Sequence, residues 1–123
     1  MAPSLVALAA KYRALARLRA RRDAVKLFTT DELLERRTEM RRLARAFPGA
    51  LRELDALDAA ALTRRAEEVE RAARGATPPM WIQIVLDWHD AWRDRPTNVT
   101  RVWETLVAKH GMTTDELRDL LFG

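Results

Sequence analysis

Apolar residues recur at three- and four-residue spacing along almost the whole chain, and no stretch alternates with the two-residue rhythm of a half-buried strand. The pattern predicts an all-α protein, a compact single-domain bundle of about six to seven helices over residues 1–123 that ends in a C-terminal helical hairpin. The first helix is expected from Ser4 to Lys26, with Leu5, Leu8, Ala9, Tyr12, Leu15 and Ala16 on one stripe. Arg19 and Asp23 fall on that same face, so its second half either projects beyond the core or packs through Ala20 and Ala24. A second helix starts where Thr29 and Glu32 have the spacing of a capping box, and it ends at Phe47 before Pro48 and Gly49. Its inward stripe reads Leu33, Met40, Leu43, Ala44 and Phe47.

A short helix over residues 50–57 follows, and Asp58 caps a longer one from Ala59 to Arg74, stopped by Gly75. That fourth helix has a thin stripe of Leu62, Ala66, Val69 and Ala73 and is expected at the periphery, with Glu67–Arg71 and Glu70–Arg74 pairs along it. Gly75-Ala76-Thr77-Pro78-Pro79 is the clearest linker and the place for a subdomain break; Thr77 can cap the next helix with Pro78 at its first position. The fifth helix runs over about residues 78–94. At 100° per residue, Trp81, Ile82, Ile84, Val85, Leu86, Trp88, His89 and Trp92 share an arc of about 200°, which implies a central helix touched on two sides. Asp87, Asp90 and Asp94 lie opposite, as a solvated face. A sixth helix is predicted from Asn98 to His110, ended by Gly111, and a last one from Thr114 to Phe122.

Composition adds limits. The chain has no cysteine, which excludes disulfides, thiolate metal sites and cysteine nucleophiles, and no window approaches 18 consecutive apolar residues, so no transmembrane insertion is expected. The net charge of +4 is uneven. Most of the excess sits in residues 1–28, where Lys11, Arg13, Arg17, Arg19, Arg21, Arg22 and Lys26 face Asp23 alone, and residues 76–123 are mildly acidic. The first 22 residues have the Arg-rich, acid-free composition of a transit peptide, but they read as the first helix of the fold, and a cytoplasmic location is expected. Arg13, Arg17, Arg21, Arg22 and Lys26 form a basic surface able to approach phosphates or an acidic partner, unless acids elsewhere in the fold neutralise it.

Candidate chemistry centres on the aromatic stretch. All four tryptophans, Trp81, Trp88, Trp92 and Trp103, fall within one short segment together with His89. Rings of about 150–250 Å² each, carrying one N–H apiece, mark either the centre of a core or the wall of a cleft. With Val85 and His89 they form the candidate ligand-binding set. Burial of His89 favours the neutral ring, suited to general acid/base chemistry, but no carboxylate on its own helix can orient it, and the structural alternative is a core histidine bonded to a backbone carbonyl. The isolated glycines exclude a phosphate-cradling loop, and no Ser-His-Asp order or paired metal-ligand spacing is present, so no metal and no cofactor are expected. An enzyme would have to rest on His89 with a lone acid such as Asp87 or Glu104.

The run from Trp103 to Leu120 resembles a DNA-binding helix-turn-helix, with Leu106, Val107, Gly111, Met112, Leu117 and Leu120 near the expected offsets. Val107 stands where that motif carries Ala or Gly, and Asp115, Glu116 and Asp119 on the second helix would repel phosphates. Base stacking on the tryptophans is disfavoured because Asp87, Asp90, Asp94 and Glu104 share their segment. The leading expectation is a non-catalytic helical binding or regulatory module with a Trp-rich apolar groove for a protein partner, self-association included, or for a small apolar or aromatic ligand. The alternatives are nucleic-acid or acidic-surface binding through the first helix and a small-molecule enzyme centred on His89.

Overall fold

A computed structural model describes residues 2–24, 27–93 and 97–123. Seven helices are found among them: α1 (Leu5–Ala24), α2 (Thr30–Ala46), α3 (Ala50–Ala56), α4 (Ala59–Ala73), α5 (Met80–Trp92), α6 (Val99–His110) and α7 (Thr114–Phe122). The described residues contain no strand, and none of their helices is long and apolar enough to cross a membrane. The all-α bundle expected from the spacing is therefore what forms.

The helix starts follow from local hydrogen bonding. The segment Thr-Thr-Asp-Glu-Leu occurs before α2 and again before α7, and in both places it closes a full capping box, Thr29 with Glu32 and Thr113 with Glu116. The Asp58 side chain accepts from Ala61 N at 2.7 Å, and Asn98 accepts from Thr100 N at 3.0 Å. Gly111 ends α6 in the left-handed conformation at φ +63°. One start differs from expectation: α5 begins at Met80 with Pro79 at its N-cap and no side-chain cap, so Thr77 does not serve it.

The central packing is α1 against α4. Leu8, Tyr12 and Leu15 on α1 and Leu62, Ala66 and Val69 on α4 are completely buried. Small residues at Ala9, Ala16, Ala66 and Ala72 let the two axes approach closely. This corrects the expected peripheral position of α4: its stripe is thin because alanines, not leucines, fill the contact. Its Glu70 also turns away from the expected in-helix pair and takes Arg13 in a two-pronged bond of 3.0 and 2.6 Å. The second half of α1 stays in the fold because Arg19 reaches the carbonyls of Leu54, Asp55 and Leu57 at 2.9–3.1 Å, closing the C-terminal end of α3.

On the far side, α5 packs against α6 and α7, and one buried cluster runs through all seven helices. The contrast is α2. Of its expected inward stripe only Leu43 is fully buried, with Met40 partly covered, while Leu33 is 49% exposed. The helix leans mainly on α3, so the arc of its wheel from Met40 to Leu43 faces the body and the adjacent arc through Leu33 and Ala44 does not.

Removing packed atoms should track this division. Leu62→Ala is expected to cost about 2–5 kcal/mol in chemical denaturation because a tightly packed site cannot collapse. Leu34→Ala on exposed α2 should stay within about 0.5 kcal/mol.

Candidate functional site

Five polar side chains from four helices meet inside the bundle. Lys11 and Tyr12 come from α1, Glu53 from α3, Arg65 from α4 and His89 from α5; Lys11 is 1% exposed, Glu53 2% and His89 6%. Glu53 is the shared acceptor. Its Oε2 lies 2.5 Å from Lys11 Nζ, and its Oε1 accepts from Tyr12 Oη at 2.5 Å and from Arg65 at 3.1 Å. Arg65 also donates to the carbonyls of Leu120 and Leu121 at 2.6 and 2.9 Å, where a cation suits the negative end of α7. Lys11 Nζ sits 3.4 Å from His89 Nε2; with Lys11 donating, the ring proton is on Nδ1.

Burial and charge act together on these groups. Burial lowers the Lys11 pKa, against the pull of the Glu53 carboxylate, and burial followed by that same carboxylate raises the Tyr12 phenol well above its ordinary range. Burial, with the Lys11 ammonium beside it, pushes His89 down to about 3, so the ring is neutral at pH 7. Among the described residues the expected carbonyl partner of His89 is not found: its Nδ1 is buried without an acceptor, and so is Trp92 Nε1 one turn further on. A general base needs a free nitrogen and an orienting acceptor. Here one ring nitrogen faces an amine and the other has no partner.

The tryptophans divide into two groups. Trp81 faces α1 and α4: it meets Tyr12 edge-on at 5.7 Å, lies under the Arg65 guanidinium at 4.8 Å and donates to Glu68 at 2.5 Å. Trp88 is the hub of the other group, with Trp103 at 5.0 Å, Phe122 at 5.5 Å and Trp92 at 5.6 Å between ring centres. Its indole N–H donates to the Pro48 carbonyl at 2.8 Å. The turn beyond α2 must come close for that bond. Gly49, at φ +86°, permits it, since a Cβ there would stand 2.9 Å from Phe122. Val85 is buried in the same core. Of the candidate ligand set, Trp92 and Trp103 are thus in contact with Trp88, Val85, Trp88 and His89 are buried, and Trp81, Trp92 and Trp103 are half-buried.

Asp87 was expected on a solvated face with Asp90. Asp90 is exposed, but Asp87 is mostly buried, 2.7 Å from His110 Nε2 and 3.0 Å from Lys109, and joins α5 to α6. This is a correction with a simple cause, because α6 covers that side of α5. Asp94 lies outside the described residues. No group of three or more potential metal-ligating side chains is found among the described residues.

The basic surface of α1 is largely neutralised. Arg13 pairs with Glu70, Arg21 with Glu32 at 2.9 Å and Arg22 with Asp55 at 2.8 Å; Arg17 is exposed, Lys26 lies outside the described residues, and Lys11 is interior. Arginines in no ion pair among the described residues include Arg64 and Arg71 on α4, Arg101 on α6 and, in a row on α2, Arg37, Arg41 and Arg45. Arg37 and Arg41 flank an open groove of about 360 Å³ lined by Leu33, Met40 and Ala44 of α2 and Leu51 of α3. Arg36 at its edge is held by the Leu18 carbonyl at 2.9 Å and by the Phe28 ring. The sequence reading missed this face because it assigned the whole apolar stripe of α2 to the interior; the arginines at four-residue spacing beside the stripe were the available signal.

No known protein family, curated protein or solved structure matches this chain.

Two measurements follow from the buried network. Glu53→Gln should cost about 3–5 kcal/mol in urea unfolding, because it strands the Lys11 ammonium. His89, with its folded pKa near 3 against about 6.5 unfolded, binds its proton first in the unfolded chain, so stability should fall as pH drops from about 6.5 toward 3. A His89→Phe variant should have a shallower urea midpoint–pH curve over that window; an unchanged slope would show that His89 does not contribute.

Proposed function

We propose that the protein is a non-catalytic helical binding module that takes an amphipathic helix of a partner protein into the groove between α2 and α3. The observation that carries this reading is the open apolar side of α2: Leu33 is 49% exposed on an otherwise well-formed helix and lines the groove with Met40, Ala44 and Leu51. Contiguous apolar surface of this kind is a cost to a free protein and an asset to a bound one. The lining from Leu33 to Ala44 spans about 16 Å at 1.5 Å per residue, the length over which a bound helix places anchors at positions i, i+3 or i+4, and i+7.

Two further features support a binding role over chemistry. The interior polar groups are committed to one another, with both oxygens of Glu53 occupied and His89 buried against Lys11. The tryptophans serve as rigid backing for the α2–α3 turn through the Trp88–Pro48 bond, so the groove is presented on a fixed support. Binding through the first helix loses support because Arg13, Arg21 and Arg22 are already paired with carboxylates.

Selection from a displayed library of random amphipathic helices tests the proposal. Enriched peptides should bind the protein and lose at least about tenfold in affinity, roughly 1.4 kcal/mol, against Leu33→Asp, whose exposed position leaves folding intact. Failure to enrich any helix, or equal binding to Leu33→Asp and to a Met40→Asp variant of unchanged helicity, would overturn it.

A further inference from the structure

From the charges around the groove we infer that its occupant is an acidic helix, carrying carboxylates beside its apolar anchors; this rests on the groove reading above and adds the chemistry of the partner. Charge is sorted across α2. Glu32, Glu35 and Glu39 line the cleft toward α1, with Arg17 and Arg21 opposite them. On the other side of the helix Arg37, Arg41 and Arg45 follow one another at four-residue spacing, exposed and with no acidic partner among the described residues. The wheel places Arg37 next to Ala44 and Leu33, and Arg41 and Arg45 in the following positions outward, so the guanidinium row runs along one lip of the groove. A second shallow depression continues that lip between Thr38, Arg41, Arg42 and Arg45.

Like charges four residues apart repel one another in the free helix. A partner carboxylate set against them relieves that repulsion and can be gripped by two parallel N–H donors of one guanidinium, a geometry lysine cannot supply. No acidic side chain lines the groove itself, so an acidic flank meets no like charge there, whereas a basic flank is repelled by the arginine row. A phospholipid surface fits less well: Leu33, Met40, Ala44 and Leu51 form a short apolar strip, and interfacial insertion needs an extended face of large apolar side chains.

The test uses two labelled synthetic helices about three to four turns long, with identical leucine anchors and either glutamate or lysine on both flanks. Fluorescence anisotropy with the 123-residue protein should give at least about tenfold tighter binding of the glutamate helix at roughly 50 mM salt, narrowing at roughly 300 mM as the charges are screened. The double variant Arg37→Glu/Arg41→Glu should reverse the preference. Equal binding of both helices, lost in Leu33→Asp, would keep the groove and overturn its acidic preference. Binding of neither helix would overturn both. Phosphatidylserine vesicles or single-stranded DNA binding more tightly than the glutamate helix, with loss in the Arg37→Glu/Arg41→Glu variant, would overturn the inference in favour of that surface.

Discussion

A single carboxylate organises this bundle. Glu53 enters the interior from the short helix α3 and accepts from Lys11, Tyr12 and Arg65, while Arg65 reaches on to the last carbonyls of α7 and Lys11 to the ring of His89 on α5. Each of these charged groups would be expensive to bury alone. Together they fix the distances among α1, α3, α4, α5 and α7, since displacement of one helix leaves a stranded charge on another. Such a network adds little net stability over a well-packed apolar core, but its requirement for particular partners helps define one arrangement of helices that alanine and leucine alone would leave interchangeable.

The aromatic centre completes the arrangement on the other side. Trp88 packs on Trp92, Trp103 and Phe122 and holds the Pro48 carbonyl, so the turn between α2 and α3 is drawn down onto α5 and α7. The consequence for α2 is geometric. Its C-terminal end is anchored at Leu43, Phe47 and Pro48, and its N-terminal half extends along α1, tethered by Arg21 to Glu32 and by Arg36 to the Leu18 carbonyl. Leu33 and its neighbours stay open because the interior is already filled. The surface proposed for a partner is therefore a product of the same packing that closes the core.

Much of the fold was legible in the chain. Helix boundaries at Thr29, Asp58, Asn98, Gly111 and Thr113 depend on hydrogen bonds within a few residues, so local reading found them. The broad apolar arc of α5 was legible for the same reason, and its burial follows. The site was far less so. Lys11 reads as one more cation of a basic helix, and Glu53 as an ordinary surface acid of a short helix; they are separated by 42 positions, and nothing local announces that they meet. Asp87 was placed in solvent because a wheel shows which way a residue points, not what covers it.

The amino-acid sequence by itself determined the helical class, the capped ends and the aromatic stretch, because backbone hydrogen bonding and the 3.6-residue period act over short distances. Tertiary structure alone decided which of two adjacent arcs on α2 faces the body, which cations are paired, and that Trp88, Trp92 and Trp103 cluster while Trp81 packs against Tyr12 and Arg65. Those outcomes depend on how much surface each helix finds to cover it, and on whether a charge leaving water meets its complement. Both are properties of the assembled bundle, set by residues far apart in the chain.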